Sequence, residues 1–281
     1  MGAGGRAGRW AGRAPPGVRA RKPQATTPHK RGPKTAWTDE ELTAQIRDVL
    51  ARSPFVGEGY RKVWARLRLA GIRPSTGRVL RLLRVAGLLA PTRGGPPHGP
   101  QAHDGTIIPD RPDAMWGTDA TASWTDEGSA TIFIAVDHYT AACVGIHAAR
   151  RGTRFEALEP LRQGLAAHFG ADREEMAAGL ALRHDHGRPF RSDHFQAELC
   201  FLGSTSSPAF VREPEGNGCA ERFIRTLKEQ LLWVEHFASV EELRQALLAF
   251  RERYNREGLI ARHAHRSPAA VRAEFLTEVA A

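Results

Sequence analysis

The hydrophobic pattern of the chain changes period near its middle. Between residues 38 and 89 apolar side chains recur at helical spacing in three short stretches. Leu42, Ile46, Val49 and Leu50 form the first stripe, and Thr38 ahead of Asp39, Glu40 and Glu41 suits an N-cap with an acidic first turn. Tyr60, Val63, Trp64 and Leu67 form the second, which Gly71 ends. Val79, Leu82, Leu83 and Ala86 form the third, between Pro74-Ser75 and Gly87. Residues 90–104 are dominated by Pro, Gly and polar residues and read as a linker. From about residue 113 the period shortens. Met115 to Trp124 alternates, with Trp116, Thr118 and Ala120 on one face and Gly117, Asp119 and Thr121 on the other. Ala130 to Val136 is nearly continuous apolar, as in a strand covered on both faces. Ala141 to Ala149 predicts a third strand after a turn at Asp137-His138-Tyr139-Thr140. A helix over Arg154–His168, a strand over Ala178–His184, a short helix over Ser192–Leu202 and two long helices over Ala220–Trp233 and Val240–Tyr254 follow. This order predicts an α/β body behind a small helical segment. No internal repeat is visible.

Charge sharpens that division. The chain of 281 residues has a formal net charge of +9. Residues 1–34 carry nine Lys/Arg and no Asp/Glu, and residues 35–103 carry eleven basic against five acidic side chains. The remainder carries twenty basic and twenty-six acidic. A basic arm on a mildly acidic body suits a polyanionic partner; the plainer reading of the first segment alone is a solvated tail. Residues 1–37, rich in Gly, Pro, Ala and Arg without apolar period, predict a disordered basic tail. In the third helical stretch Arg78, Arg81 and Arg84 lie along one side, as in a helix that a helix-turn-helix sets against DNA; an ordinary bundle with a solvated Arg face is the plainer alternative.

Other classes recede. No apolar run approaches the ~20 residues needed to span a bilayer, so no membrane association is expected. Cys143, Cys200 and Cys219 form no C-x-x-C pair, which argues against a disulfide framework or zinc knuckle and suits a reducing cytoplasm.

Among thirty-one acidic residues, position singles out three. Asp119 stands inside a strand, where Asp is depleted and a buried unpaired carboxylate is costly, so it needs a partner such as a metal ion. Asp185 follows an apolar strand and precedes Gly187, a usual place for a functional group in α/β proteins, though a turn Asp reads equally well. Glu221 opens a helix and shares one face with Arg225 and Lys228, while Ala220, Ile224, Leu227 and Leu231 form the adjacent apolar face. One acid with two bases suits metal plus phosphate; a salt-bridge ladder is the structural alternative.

The motifs then fall into a familiar order. Asp119, Asp185 and Glu221, with thirty-five residues between the last two, resemble the D-D-35-E pattern of retroviral-integrase-like transposases. Trp116-Gly117-Thr118-Asp119 resembles the W-x-x-D strand of that group, and Asp185-His186-Gly187-Arg188-Pro189-Phe190 its D-x-G-x-x-F turn. Asn217-Gly218, Glu221-Arg222-Phe223 and Thr226-Leu227-Lys228 are similar to its N-G-x-x-E-R-F-x-x-T-L-K helix. Tyr254-Asn255, His263 and Ser267-Pro268 resemble its tail, and Gly59-Tyr60-Arg61 with Arg78-Val79 and Arg81-Leu82 the accessory helix-turn-helix of second-frame insertion-sequence transposases of the IS-three type. His184 stands where the group usually has Ser. Asp193 leaves only twenty-seven residues before Glu221, and Asp137 falls in the turn.

The resemblance implies an RNase H-like fold, a five-stranded mixed sheet with helices on both sides, behind the helix-turn-helix. The expected divisions are a tail at 1–37, a DNA-binding segment at 38–90, a linker at 91–112, a catalytic domain at 113–237 and a C-terminal helix and tail at 238–281. It also implies a DNA transposase or integrase in which Asp119, Asp185 and Glu221 hold two Mg²⁺ ions, replaceable by Mn²⁺, for cleavage and strand transfer by in-line phosphoryl transfer. Arg225 and Lys228 would meet phosphates there. The expected partners are terminal-repeat and target DNA, further copies of the chain and a small helical protein from an upstream frame. The expected place is the bacterial cytoplasm, on the nucleoid when bound to DNA. A nuclease on the same scaffold, or an inactive DNA-binding regulator, is the alternative.

Overall fold

The computed structural model describes residues 36–91, 107, 109–170, 174–208 and 217–280. The expected basic tail and most of the expected linker lie outside the described residues. The helical segment folds as read: α1 (Asp39–Arg52), α2 (Tyr60–Leu69) and α3 (Thr76–Val85). Thr38 caps α1 in a full capping box, its hydroxyl accepting from Glu41 N–H while the Glu41 carboxylate accepts from Thr38 N–H at 2.7 Å. Leu42, Ile46, Val63, Leu67, Val79 and Leu83 close a core of their own.

Five strands form the sheet: β1 (Met115–Thr125), β2 (Gly128–Asp137), β3 (Cys143–Ala149), β4 (Ala181–His184) and β5 (Thr205–Pro208). Their order is β3-β2-β1-β4-β5; β2 is antiparallel to both neighbours, and β4 runs parallel to β1 and β5. The alternation read in β1 decides its two faces. Trp116 packs with Phe133, Leu161, Leu182 and Phe195 under α4 (Glu159–His168) and α5 (Asp193–Phe201). The opposite face carries Asp119 and, from β2, Ile132, Ile134 and Val136; α6 (Gly218–Leu227) and α7 (Val240–Glu257) cover it with Phe223, Leu227, Leu247 and Phe250. Each large side chain so buried contributes about 1.5–3 kcal/mol. Helices thus lie on both sides of a mixed sheet, and the fold is the expected RNase H-like one. The close approach of α4 requires Gly145, since a Cβ there would fall within 1.9 Å of the Pro160 carbonyl oxygen.

Three of the departures from the expected boundaries have a clear physical reason. The helix expected from Arg154 begins as a 3₁₀ turn, and α4 starts only at Glu159, because Pro160 lacks an N–H and suits a first turn. The helix expected over Ala220–Trp233 is α-helical only to Leu227; Lys228–Leu232 is a π-helical turn. Asp137 ends β2 rather than standing in the turn, buried and accepting from Thr140 N–H, Thr140 Oγ1–H and Asp113 N–H. A last helix, α8 (Pro268–Val279), is tied back by the Arg272–Asp113 ion pair.

The two cores touch. Phe55, in the loop between α1 and α2, is buried against the α6–α7 side of the sheet. Gln230 accepts from Val56 N–H and donates to Val56 O, both at 2.8 Å. Arg66 of α2 pairs with Glu58 and reaches the Glu257 carbonyl.

Candidate active site

Asp119 stands mid-strand on β1, half-buried, beside the parallel strand β4. Its Oδ1 accepts from the Ala120 N–H at 2.7 Å. Among the described residues no ion pair engages it. Its carboxyl is pushed up to about 6, first by burial and then by the negative charges of Asp185 and Glu221; the Ala120 N–H and the Lys228 ammonium pull the other way. Asp119 thus senses the charges of Asp185, Glu221 and Lys228.

Asp185 follows β4 directly and is exposed. Its Oδ1 accepts from Gly187 N–H at 2.8 Å, and a Cβ at Gly187 would come within 2.8 Å of that oxygen, which accounts for the glycine in the turn. His184 holds the strand end in place. Its Nδ1 donates to the Asp185 carbonyl at 2.7 Å, its Nε2 accepts from Ser206 Oγ–H of β5 at 2.9 Å, and its ring stacks on Phe190. The histidine thus ties β4 to β5 and leaves the Asp185 carboxylate outward.

Glu221 lies in the first turn of α6, exposed, while Ala220, Phe223, Ile224 and Leu227 bury the helix's other side. Burial pushes its carboxyl above the usual range and the Arg225 charge opposes that. Asn217 opens α6 and donates from Nδ2 to the Thr118 carbonyl at 3.0 Å, which fastens the helix start beside Asp119. In the sequence Asn217 is visible only as part of a motif; its contact to β1, and the burial of His138 beside Gly117, are not legible there.

The donor set is three carboxylates, oxygen only, of one sign. Among the described residues no three His, Cys, Asp or Glu side chains converge tightly enough to form a ready-made metal cage. Two of the three carboxylates, those of Asp185 and Glu221, are exposed. The uncompensated charge at Asp119 is what such a cation would relieve.

The helical segment is less open than its sequence suggests. Arg78 and Arg81 both pair with Asp39 at the start of α1, at 2.8 and 2.7 Å, and Arg78 also donates to the Trp37 carbonyl. Arg84 is exposed.

The mixed sheet thus carries an Asp on its first strand and an Asp after its fourth, with a Glu on a covering helix. Comparison with known proteins agrees. Residues 203–259 match the family described as integrase core domain, and residues 37–95 the family described as HTH-like domain. The chain is 26% identical over 201 residues to the Transposase InsD for insertion element IS2A/D/F/H/I/K of Escherichia coli, covering 69% of this chain. It spans 65% of the length of the curated relatives it matches. Solved structures similar to it include the catalytic core domain of BIV integrase, at 20% identity over 60% of this chain and 99% of the other, with a TM-score of 0.44. The HTLV-2 integrase catalytic core domain in complex with magnesium is similar at 16% identity over 58% and 98%, with a TM-score of 0.44. The matches to the two family models and to the InsD transposase bear out the resemblance to insertion-sequence transposases read from the motifs. No helix among the described residues is long and apolar enough to cross a membrane.

Proposed function

We propose that the chain is a DNA transposase or integrase that cleaves and joins mobile-element ends by metal-dependent phosphoryl transfer at Asp119, Asp185 and Glu221. The observation that carries this reading is Asp119, a strand-interior carboxyl pushed up to about 6 by burial and by two further acids on an integrase-type sheet. A purely structural Asp gains a cation or a full set of donors, as Asp137 does.

The three side chains offer hard oxygen ligands, which suit Mg²⁺, with Mn²⁺ as a substitute. When bound, two such ions supply charge stabilisation for the attacking and leaving oxygens at phosphorus. Asp119 has to be ionised to hold a cation, so binding releases its proton. Lys228 and Arg225, on the helix that carries Glu221, orient the DNA end by meeting its phosphates. Arg84 contacts the DNA backbone from α3; Arg78 and Arg81 join it where phosphate displaces Asp39. The partners on this reading are terminal-repeat and target DNA, further copies of the chain and an upstream-frame helical protein, in the cytoplasm and on the nucleoid.

The test is a cleavage assay on an uncut donor end beside a strand-transfer assay on a pre-cut one, both with Mg²⁺. Joined product with the unaltered chain, and none with Asp119→Asn, is the expected result. Cleavage without joining would make the chain a nuclease, and neither reaction with intact DNA binding would make it a regulator.

A further inference from the structure

Two buried polar atoms face each other across Gly117. His138 follows β2 and is wholly buried. Its Nδ1 lies 3.0 Å from the Ile107 carbonyl, which can only accept, so Nδ1 carries the proton. Burial pushes the imidazole below the usual His range and keeps it neutral at pH 7. Its Nε2 is then an acceptor, and it has no partner among the described residues.

Asn217 is buried at the N-cap of α6. An Asn side chain there ordinarily accepts from the first turn of the helix, but no such bond forms. Its Nδ2 donates to the Thr118 carbonyl instead, which fixes the orientation of the amide: the flipped form would set two oxygens together. Its Oδ1 is left without a partner among the described residues. The two atoms share one neighbourhood. A Cβ on Gly117 would lie 2.5 Å from Asn217 Oδ1 and 2.6 Å from His138 Nε2.

Two acceptors cannot bond to each other, and buried polar groups are seldom left unpaired. A small molecule donating two hydrogen bonds satisfies both, and water is the smallest that does. We propose that one buried water, donating to His138 Nε2 and Asn217 Oδ1 above Gly117, is a fixed part of the fold and makes His138 and Asn217 positioning residues for the carboxylates. Asn217 holds the carbonyl next to Asp119 and begins the helix that bears Glu221. The water therefore joins the end of β2 to both. Gly117 is required because a Cβ there would crowd both the Asn217 oxygen and the His138 nitrogen. The positioning role rests on the proposed function; the water itself does not.

The nitrogen shifts of His138 in the full chain test the water without any activity. A neutral Nδ1–H tautomer with an accepting Nε2 is expected at pH 7, with protonation of the ring displaced below the ordinary His range. A proton on Nε2 would mean a direct bond to Asn217 and would overturn the proposal. A pair of variants tests the role. His138→Gln keeps a polar group at the ε position, whereas His138→Asn keeps only the one facing Ile107. The readout is the rise in melting temperature on adding Ca²⁺, alongside the Mg²⁺ concentration at half-maximal strand transfer. His138→Asn should raise that concentration about tenfold, as loss of a supporting contact behind metal ligands does, and His138→Gln should stay near the unaltered chain. The reverse order would overturn the positioning role. A correct tautomer together with no Ca²⁺ response in the unaltered chain would leave the water standing and sink the carboxylate reading instead.

Discussion

Asp113 and Asp119 sit on either side of the start of β1 and are treated in opposite ways. Burial pushes the Asp113 carboxyl upward, but hydrogen bonds and charge from His168 and Arg272 outweigh that and hold it well below the usual range. It also accepts from the Trp116 indole N–H at 3.0 Å. Asp119 has one backbone donor, two acids as neighbours and a carboxyl pushed up to about 6. One acid is fully provided for and pins α8 to the sheet. The other is left short of positive charge, which is the condition of a site that expects a cation. Burial alone does not separate structural from functional acids; the partners do.

The largest effect should come from Asp119→Asn. Losing a ligand that underlies several kcal/mol of charge stabilisation costs about a thousandfold in cleavage and joining, at about 1.4 kcal/mol per tenfold. The same change should raise the melting temperature of the metal-free protein at pH 7, because it removes an uncompensated charge. The pH dependence has a definite sign. The folded carboxyl of Asp119 binds its proton more tightly than the unfolded one, so metal-free stability falls as pH rises from 3.8 through about 6. Mg²⁺ should restore it above that range. Melting curves at pH 4 to 7 with and without Mg²⁺ check both statements.

Asp113→Ala should do the converse. It leaves Arg272 and His168 without their acid and should cost about 2–4 kcal/mol of stability, near the range for breaking a buried pair. Activity per folded molecule should be unchanged. Here the folded value lies below the unfolded one, so the contribution is complete above about pH 4 and is lost as pH falls further. Denaturant unfolding alongside strand transfer separates the two acids; equal losses of activity in both variants would erase the distinction between them.

Lys228→Ala should be milder, with about a tenfold loss in donor-end binding, the weight of one charge-assisted contact, and little change in melting temperature. A large drop in melting temperature with end binding intact would make Lys228 structural. Arg84→Ala should be milder still, lowering the salt slope of DNA binding by about 0.9 for one phosphate contact. Arg78→Ala should instead destabilise the α1–α3 packing, since Arg78 is held by Asp39 and the Trp37 carbonyl. Filter binding across salt concentrations distinguishes them.

Much of this was legible in the sequence, for physical reasons. Alternation in β1 and the apolar run of β2 carry the sheet because each strand face buries against a helix layer. The stripes of α1 to α3 carry the helical core in the same way. β5 was not legible: Thr205–Pro208 is short, polar and at the sheet edge, and its pairing comes from β4 rather than from any pattern of its own. The π-helical turn at Lys228–Leu232 was hidden because Leu227 and Leu231 remain buried and keep the apolar stripe intact. Asp119 was visible as an anomaly within a strand. The neutralisation of Asp113 was not, because Arg272 lies far along the chain and only folding brings it near.

Calorimetric titration of Mn²⁺ into the unaltered chain, Asp119→Asn, Asp185→Asn, Glu221→Gln and Asp193→Asn tests the central claim most directly. The expected result is binding in the unaltered chain and in Asp193→Asn, with loss in the three others and proton release on binding that grows as pH falls toward about 6. Undiminished binding in Asp119→Asn, or loss in Asp193→Asn with retention in Asp185→Asn, would contradict a single site built from Asp119, Asp185 and Glu221.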